Sequence, residues 1–133
     1  MPTGFTQDAG WQIGVSKTLA HPPSAVWEFI SSEEGLALWI GPGVRLTPEK
    51  GSRYTTEEGD GEVRSYRPGD RIRLTYRPKG DDHHTTRQIA VTATPDGRAM
   101  LRFHEERLRS AEERERRREH WQRVMTRVAA ALG

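Results

Sequence analysis

Ser110-AEERERRREHWQRVMTRVAAA-Leu132 is the stretch on which the fold turns. It holds no Gly or Pro and is dense in Ala, Glu and Arg, so it predicts one long C-terminal helix. Trp121, Val124, Met125, Val128 and Leu132 recur at helical spacing on one face, which gives that helix an apolar stripe to bury. Projected backward at about 100° per residue, the same face carries Arg118, Arg117, Arg114 and Ser110.

Upstream of this helix, residues 44–108 change rhythm into short alternating runs, at 44–47, 52–57, 62–67, 71–77, 86–94 and 98–106. Turn-forming stretches separate them, at 48–51, 58–61, 68–70, 78–84 and 95–97, the pattern of an antiparallel meander. Further upstream, Trp11, Ile13, Val15 and Leu19 alternate with Gln12, Gly14, Ser16 and Thr18, which adds a first strand and brings the expected number to seven. His21-Pro22-Pro23-Ser24 ends that strand, because proline cannot donate to a ladder and suits a first helical turn. Val26, Phe29 and Ile30 then read as a short helix, and Ser31 with Glu34 as the capping box of a second one through Leu36, Leu38 and Trp39, which Gly41-Pro42-Gly43 ends.

A seven-stranded antiparallel sheet must cover its apolar face, and the C-terminal helix is the one element large enough to do so. The expected fold class is therefore α+β: a sheet curved around a long C-terminal helix, with two short helices after the first strand. Residues 1–9 read as an N-terminal tail and 10–133 as one domain, in keeping with a length of 133 residues.

Composition narrows the function classes. Only 33% of residues are apolar and 30% are charged, but four Trp, three Tyr and three Phe supply core material, so the core is expected to be thin and aromatic. There is no apolar run long enough to span a membrane and no secretory signal, and with no Cys there is neither a disulfide framework nor a thiol nucleophile, which fits a cytoplasmic protein. Lys17, Lys50 and Lys79 are the lysines among 21 basic residues, a bias that fits a GC-rich bacterial genome; the net charge of +2 steers weakly, and the arginines alternate with glutamates, so no nucleic-acid partner is expected.

The order of these pieces resembles the START-like, helix-grip superfamily, also called SRPBCC, and within it the branch of the activator of heat-shock-protein-90 ATPase homologue C-terminal domain. The resemblance runs over residues 10–132 and is carried by Val26-Trp27, Gly35-Leu36-Ala37-Leu38-Trp39-Ile40-Gly41-Pro42, Lys50-Gly51-Ser52-Arg53-Tyr54, Gly61-Glu62-Val63 and Pro68-Gly69-Asp70-Arg71-Ile72. It continues through Leu74-Thr75-Tyr76, Arg98-Ala99-Met100-Leu101-Arg102-Phe103 and the helical stripe from Trp121. The resemblance implies a helix-grip fold built to enclose hydrophobic ligands between the sheet and the C-terminal helix.

Catalytic signatures are sparse. The five His, at 21, 83, 84, 104 and 120, offer no H-E-x-x-H pair, and no G-x-S-x-G elbow, G-x-G-x-x-G or Walker A run exists. Asp81-Asp82-His83-His84 reads as a solvated turn, because successive loop residues rarely converge on one ion. Neither a metal nor a cofactor is expected.

Alternation orients the meander. If its apolar set marks the inside, Val44, Leu46, Tyr54, Val63, Ile72, Leu74, Tyr76, Ile89, Val91, Leu101 and Phe103 face the helix, and Ser65, Arg87 and Glu105 share that face. A carboxylate there requires a partner, and Arg114 or Arg117 on the helix is the candidate. Trp39, Tyr54, Tyr76, Phe103 and Trp121 form an aromatic belt that serves as pocket lining or as core. The candidate ligand-binding residues are thus Trp39, Tyr54, Tyr76, Phe103, Glu105, Arg114, Arg117 and Trp121, with no catalytic residue assigned.

The leading expectation is a non-enzymatic protein that holds a small hydrophobic or aromatic molecule. Two alternatives stand beside it. One is an aromatase or cyclase with His104 or Glu105 as general base, which the outward alternation of His104 opposes. The other is a chaperone-accessory or protein-interaction module that meets a protein partner through the Arg/Glu-rich helix.

Overall fold

The computed structural model describes residues 3–133. The C-terminal stretch forms α3 (Ala111–Leu132), which starts where Ser110 caps it: the hydroxyl accepts from the Glu113 N–H at 3.1 Å. Glu112 and Glu113 put negative charge in the first turn, where the helix dipole favours it. Trp121, Val124, Met125 and Val128 are buried, the stripe its spacing predicts. No helix of the described residues is long and apolar enough to cross a membrane.

That stripe packs against one face of a curved, fully antiparallel seven-stranded sheet in the order β1-β2-β7-β6-β5-β4-β3. Its strands are β1 (Phe5–Thr6), β2 (Gly10–Leu19), β3 (Arg53–Thr55), β4 (Gly59–Arg67), β5 (Arg71–Pro78), β6 (Thr85–Ala93) and β7 (Ala99–Leu108). Between β2 and β3 lie α1 (Pro23–Ile30) and α2 (Glu33–Trp39). The core joins Ile72, Leu74, Ile89, Leu101 and Phe103 of the sheet to Val26 and Ile30 of α1 and to the α3 stripe. Phe103 and Trp121 stack at its centre, ring centroids 5.0 Å apart.

The number of strands matches the expectation and their membership does not. Residues 44–47, expected as a strand, make no ladder: Gly43 turns the chain at φ 74° ahead of them and Pro48, which lacks a donor, follows. Val44 is nevertheless buried from this loop. The seventh strand is instead Phe5–Thr6, inside the expected tail, where Phe5 pairs with Trp11 and their rings meet edge to face at 5.4 Å. A two-residue strand carries no alternation to read. Met1 and Pro2 of that tail lie outside the described residues.

Two further corrections are local. The residue that caps α2 is Ser32, whose hydroxyl accepts from the Gly35 N–H at 3.1 Å, whereas Ser31 ends α1. In β4 a bulge between Val63 and Ser65 shifts the register, so Tyr66, opposite Ile72, takes the inner face expected for Ser65. Its ring meets Trp27 of α1 edge-on.

A second bulge shapes the far end of β7. Ile13 pairs with Glu105 but Trp11 pairs with Leu108, so Glu106 and Arg107 together face Gln12. Arg107 takes φ 67°, the one positive-φ residue other than glycine among those described, and its N–H bonds Ala9 O at 2.7 Å. The extra residue lets Glu105 and Leu108 both turn inward, and both are buried.

Candidate functional site

The inner face at this end of the sheet is polar. Tyr76 pairs with Thr85 across β5 and β6, and Arg87 pairs with Glu105 across β6 and β7, so strand parity alone puts four side chains on one floor. Helix α3 crosses above them and contributes Arg117, His120 and Trp121. The spacing explains this placement: Trp121 heads the apolar stripe, Arg117 lies one turn before it, and His120 is three residues past Arg117 on the same shoulder.

Glu105 is the hub and is 2% exposed. Its Oε1 accepts from Arg117 Nε at 2.7 Å and from the Trp121 indole N–H at 2.9 Å, and its Oε2 accepts from the Thr85 hydroxyl at 2.6 Å. Arg87 Nε lies 3.5 Å from Oε2, an ion pair without hydrogen-bond geometry. Arg87 is 6% exposed; its guanidinium sits 3.9 Å over the Tyr76 ring and one Nη donates to the Trp39 carbonyl at 3.3 Å. Burial works to raise the Glu105 pKa, but Arg87, Arg117 and the donated hydrogen bonds outweigh it and hold the carboxyl at about 2. Burial also pushes the His120 imidazole down, and Arg117 and Arg87 add to it, to about 4, so the ring is neutral at pH 7.

A cleft of about 540 Å³ opens above this floor. Ile40, Tyr76, Pro78 and Leu108 give it an apolar side; Thr85, Arg87, Glu105, Arg117 and His120 give it a polar one. Among the residues that line the cleft, three buried nitrogens have no hydrogen-bond partner: Arg87 Nε, Arg117 Nη2 and His120 Nε2. A broader groove of about 720 Å³ lies on the opposite face of the sheet, and most of its charges are paired, as in Arg64 with Glu62 at 2.8 Å and Arg77 with Asp60 at 3.3 Å.

Of the expected site residues, the structure brings Tyr76, Glu105, Arg117 and Trp121 together. Trp39, Tyr54 and Phe103 pack into the core beside the cleft: the Trp39 indole donates to Ile30 O at 3.1 Å and the Tyr54 hydroxyl donates to Thr75 O. Arg114 turns away, and its Nε donates to Gln12 O of β2 at 2.7 Å. Arg117 goes to Glu105, and Glu113 accepts from the Arg109 N–H. His104 faces out, bonded to Gln12 at 2.9 Å. In the loop at 81–84, Asp81 accepts from Arg109 and from the His83 N–H.

Sequence reasoning missed three residues of the floor and its walls. Arg87 was placed on the inner face without a role. Thr85 has the parity of Arg87 but sits one residue before the expected start of its strand. His120 had its signal in the i, i+3 spacing from Arg117.

Comparison with known proteins agrees with this architecture. A family model described as "Activator of Hsp90 ATPase homolog 1-like protein" matches residues 20–133. Protein MLL2253 from Mesorhizobium loti superposes with a TM-score of 0.76 at 18% identity, over 91% of this chain and 96% of its own. DynU16, a putative protein in the dynemicin biosynthetic locus, gives 0.79 at 19% identity over 91% of this chain and 46% of its own. PFC0360w, an HSP90 activator from Plasmodium falciparum, gives 0.75 at 12% identity over 92% and 96%. No curated protein matches the sequence. At these identities the structures are similar in fold.

Proposed function

Because the chain belongs to the Activator of Hsp90 ATPase homolog 1-like family, we propose that it is a small-molecule-binding domain whose ligand lies between the sheet and α3. The observation that carries this reading is the cleft of about 540 Å³, a volume in the range of small-molecule sites, with an apolar wall and a few convergent polar groups. Its floor is preorganised. Glu105, Arg87, Arg117, Thr85 and Trp121 hold one another in place, so a ligand meets a formed surface and ordering costs little on binding.

The same geometry favours binding over proton transfer. A general base must accept a proton near neutral pH, and Glu105 is held ionised at about 2 with both oxygens occupied. His104, the other candidate base, is on the far face of the sheet.

Ligand-detected NMR against a library of one- to three-ring aromatic compounds tests this. The expected result is saturable transfer to a subset of compounds that compete for a single site. Absence of any saturable binder would overturn it.

A further inference from the structure

We propose that the ligand of this cleft carries a carboxylate, received by Arg87, Arg117 and His120. The proposal rests on the small-molecule reading above and specifies its chemistry.

Charge balance comes first. The floor holds two guanidinium groups and one carboxylate, with Arg87 and Glu105 buried and the Arg117 side chain 22% exposed, a surplus of one positive charge at the inner end of the cleft. An uncompensated buried cation is costly, and a monoanion entering the cleft removes that cost. Of the other charged residues that line the cleft, Asp81 is held by Arg109, Glu113 accepts from the Arg109 N–H, and Glu58, Arg116 and Arg123 are exposed to solvent.

Hydrogen-bond balance points the same way. Arg87 Nε, Arg117 Nη2 and His120 Nε2 are buried and unpartnered, although buried polar groups are rarely left so. All three belong to residues that line one cleft. Two are N–H donors outright, and a neutral imidazole donates when its proton is on Nε2. A carboxylate offers two oxygens in a plane, which suits guanidinium edges with an imidazole beside them. A dianion would leave the floor negative, so a monoanion fits better. The body of the ligand then lies against Tyr76, Ile40 and Leu108.

The test compares 2-naphthoate with its neutral isostere 2-naphthamide by calorimetric titration at pH 7.5. Measurements use wild type, Arg117→Lys and His120→Ala. Wild type is expected to bind the carboxylate at least tenfold more tightly than the amide. Each variant is expected to cut that preference severalfold. Lysine keeps the counter-charge to Glu105 but loses the planar fork, and His120 is only half-buried, so its variant carries the test if Arg117→Lys folds poorly. Equal binding of the two compounds by wild type overturns the carboxylate inference and leaves the small-molecule reading standing. A preference that survives undiminished in both variants also overturns it, because the anion would then lie elsewhere. Failure of both compounds to bind wild type would count against the cleft as an aromatic site altogether.

Discussion

Trp121 donates its indole N–H to the buried carboxylate of Glu105 at 2.9 Å while its ring stacks on Phe103, so one side chain ties the apolar core to the polar floor. Trp121→Phe keeps most of the stacking and removes the donor. It is expected to cost about 2 kcal/mol, the worth of a hydrogen bond to a charged group. Urea denaturation reads this directly, and a loss below about 0.5 kcal/mol would show that Glu105 does not depend on the indole.

Glu105 itself should matter more than any one of its partners. Replacing it by Gln leaves the buried Arg87 and the partly buried Arg117 without a counter-charge, and about 3 kcal/mol should be lost. Reversible unfolding of Glu105→Gln beside wild type checks the magnitude.

Acid should weaken the fold in two stages. His120 has a folded pKa near 4 against an ordinary 6.5, so the unfolded chain takes up its proton first and stability falls as pH drops from 6.5 towards 4. Glu105 sits near 2 against 4.5; its contribution is complete above 4.5 and is lost as pH falls towards 2, about 3 kcal/mol in all. Chemical denaturation across pH 2 to 8 should show both limbs, and His120→Ala should remove the upper one alone.

Gly35 allows α2 to start against the end of α1. A Cβ there would stand 2.0 Å from the Phe29 carbonyl oxygen and 2.9 Å from Ile30 Cα, both backbone atoms that cannot swing aside. Gly35→Ala should cost about 3 kcal/mol by forcing the two helices apart, measurable as a drop in the urea midpoint with an unchanged slope.

Arg107 holds a left-handed backbone conformation at the bulge that turns Glu105 and Leu108 inward. Gly pays less there, so Arg107→Gly should raise stability by up to about 1 kcal/mol despite the added freedom of the unfolded chain. The thermal midpoint of the variant gives the answer.

What the sequence made legible followed local periods. The α3 stripe recurs at helical spacing, and the inward parity of Arg87 and Glu105 needs only alternation within each strand. What it hid depended on distant backbone. The bulge in β4 moved the inner face from Ser65 to Tyr66, and nothing in the residues themselves marks that slip. Arg114 shares the projected face of Arg117, yet the Gln12 carbonyl on β2 holds it on the other shoulder of the helix. The aromatic belt reads as pocket lining or as core, and for Trp39 and Tyr54 the core placement goes with bonds to the carbonyls of Ile30 and Thr75, each far along the chain or in another element.

The most direct test of the cleft as a binding site is a titration of ¹⁵N-labelled protein with 2-naphthoate, followed through its backbone amide spectrum. Saturable shifts centred on Tyr76, Thr85, Arg87, Leu108 and His120 are expected. Shifts centred instead on Arg53, Glu62 and Thr75, across the opposite face of the sheet, would contradict it.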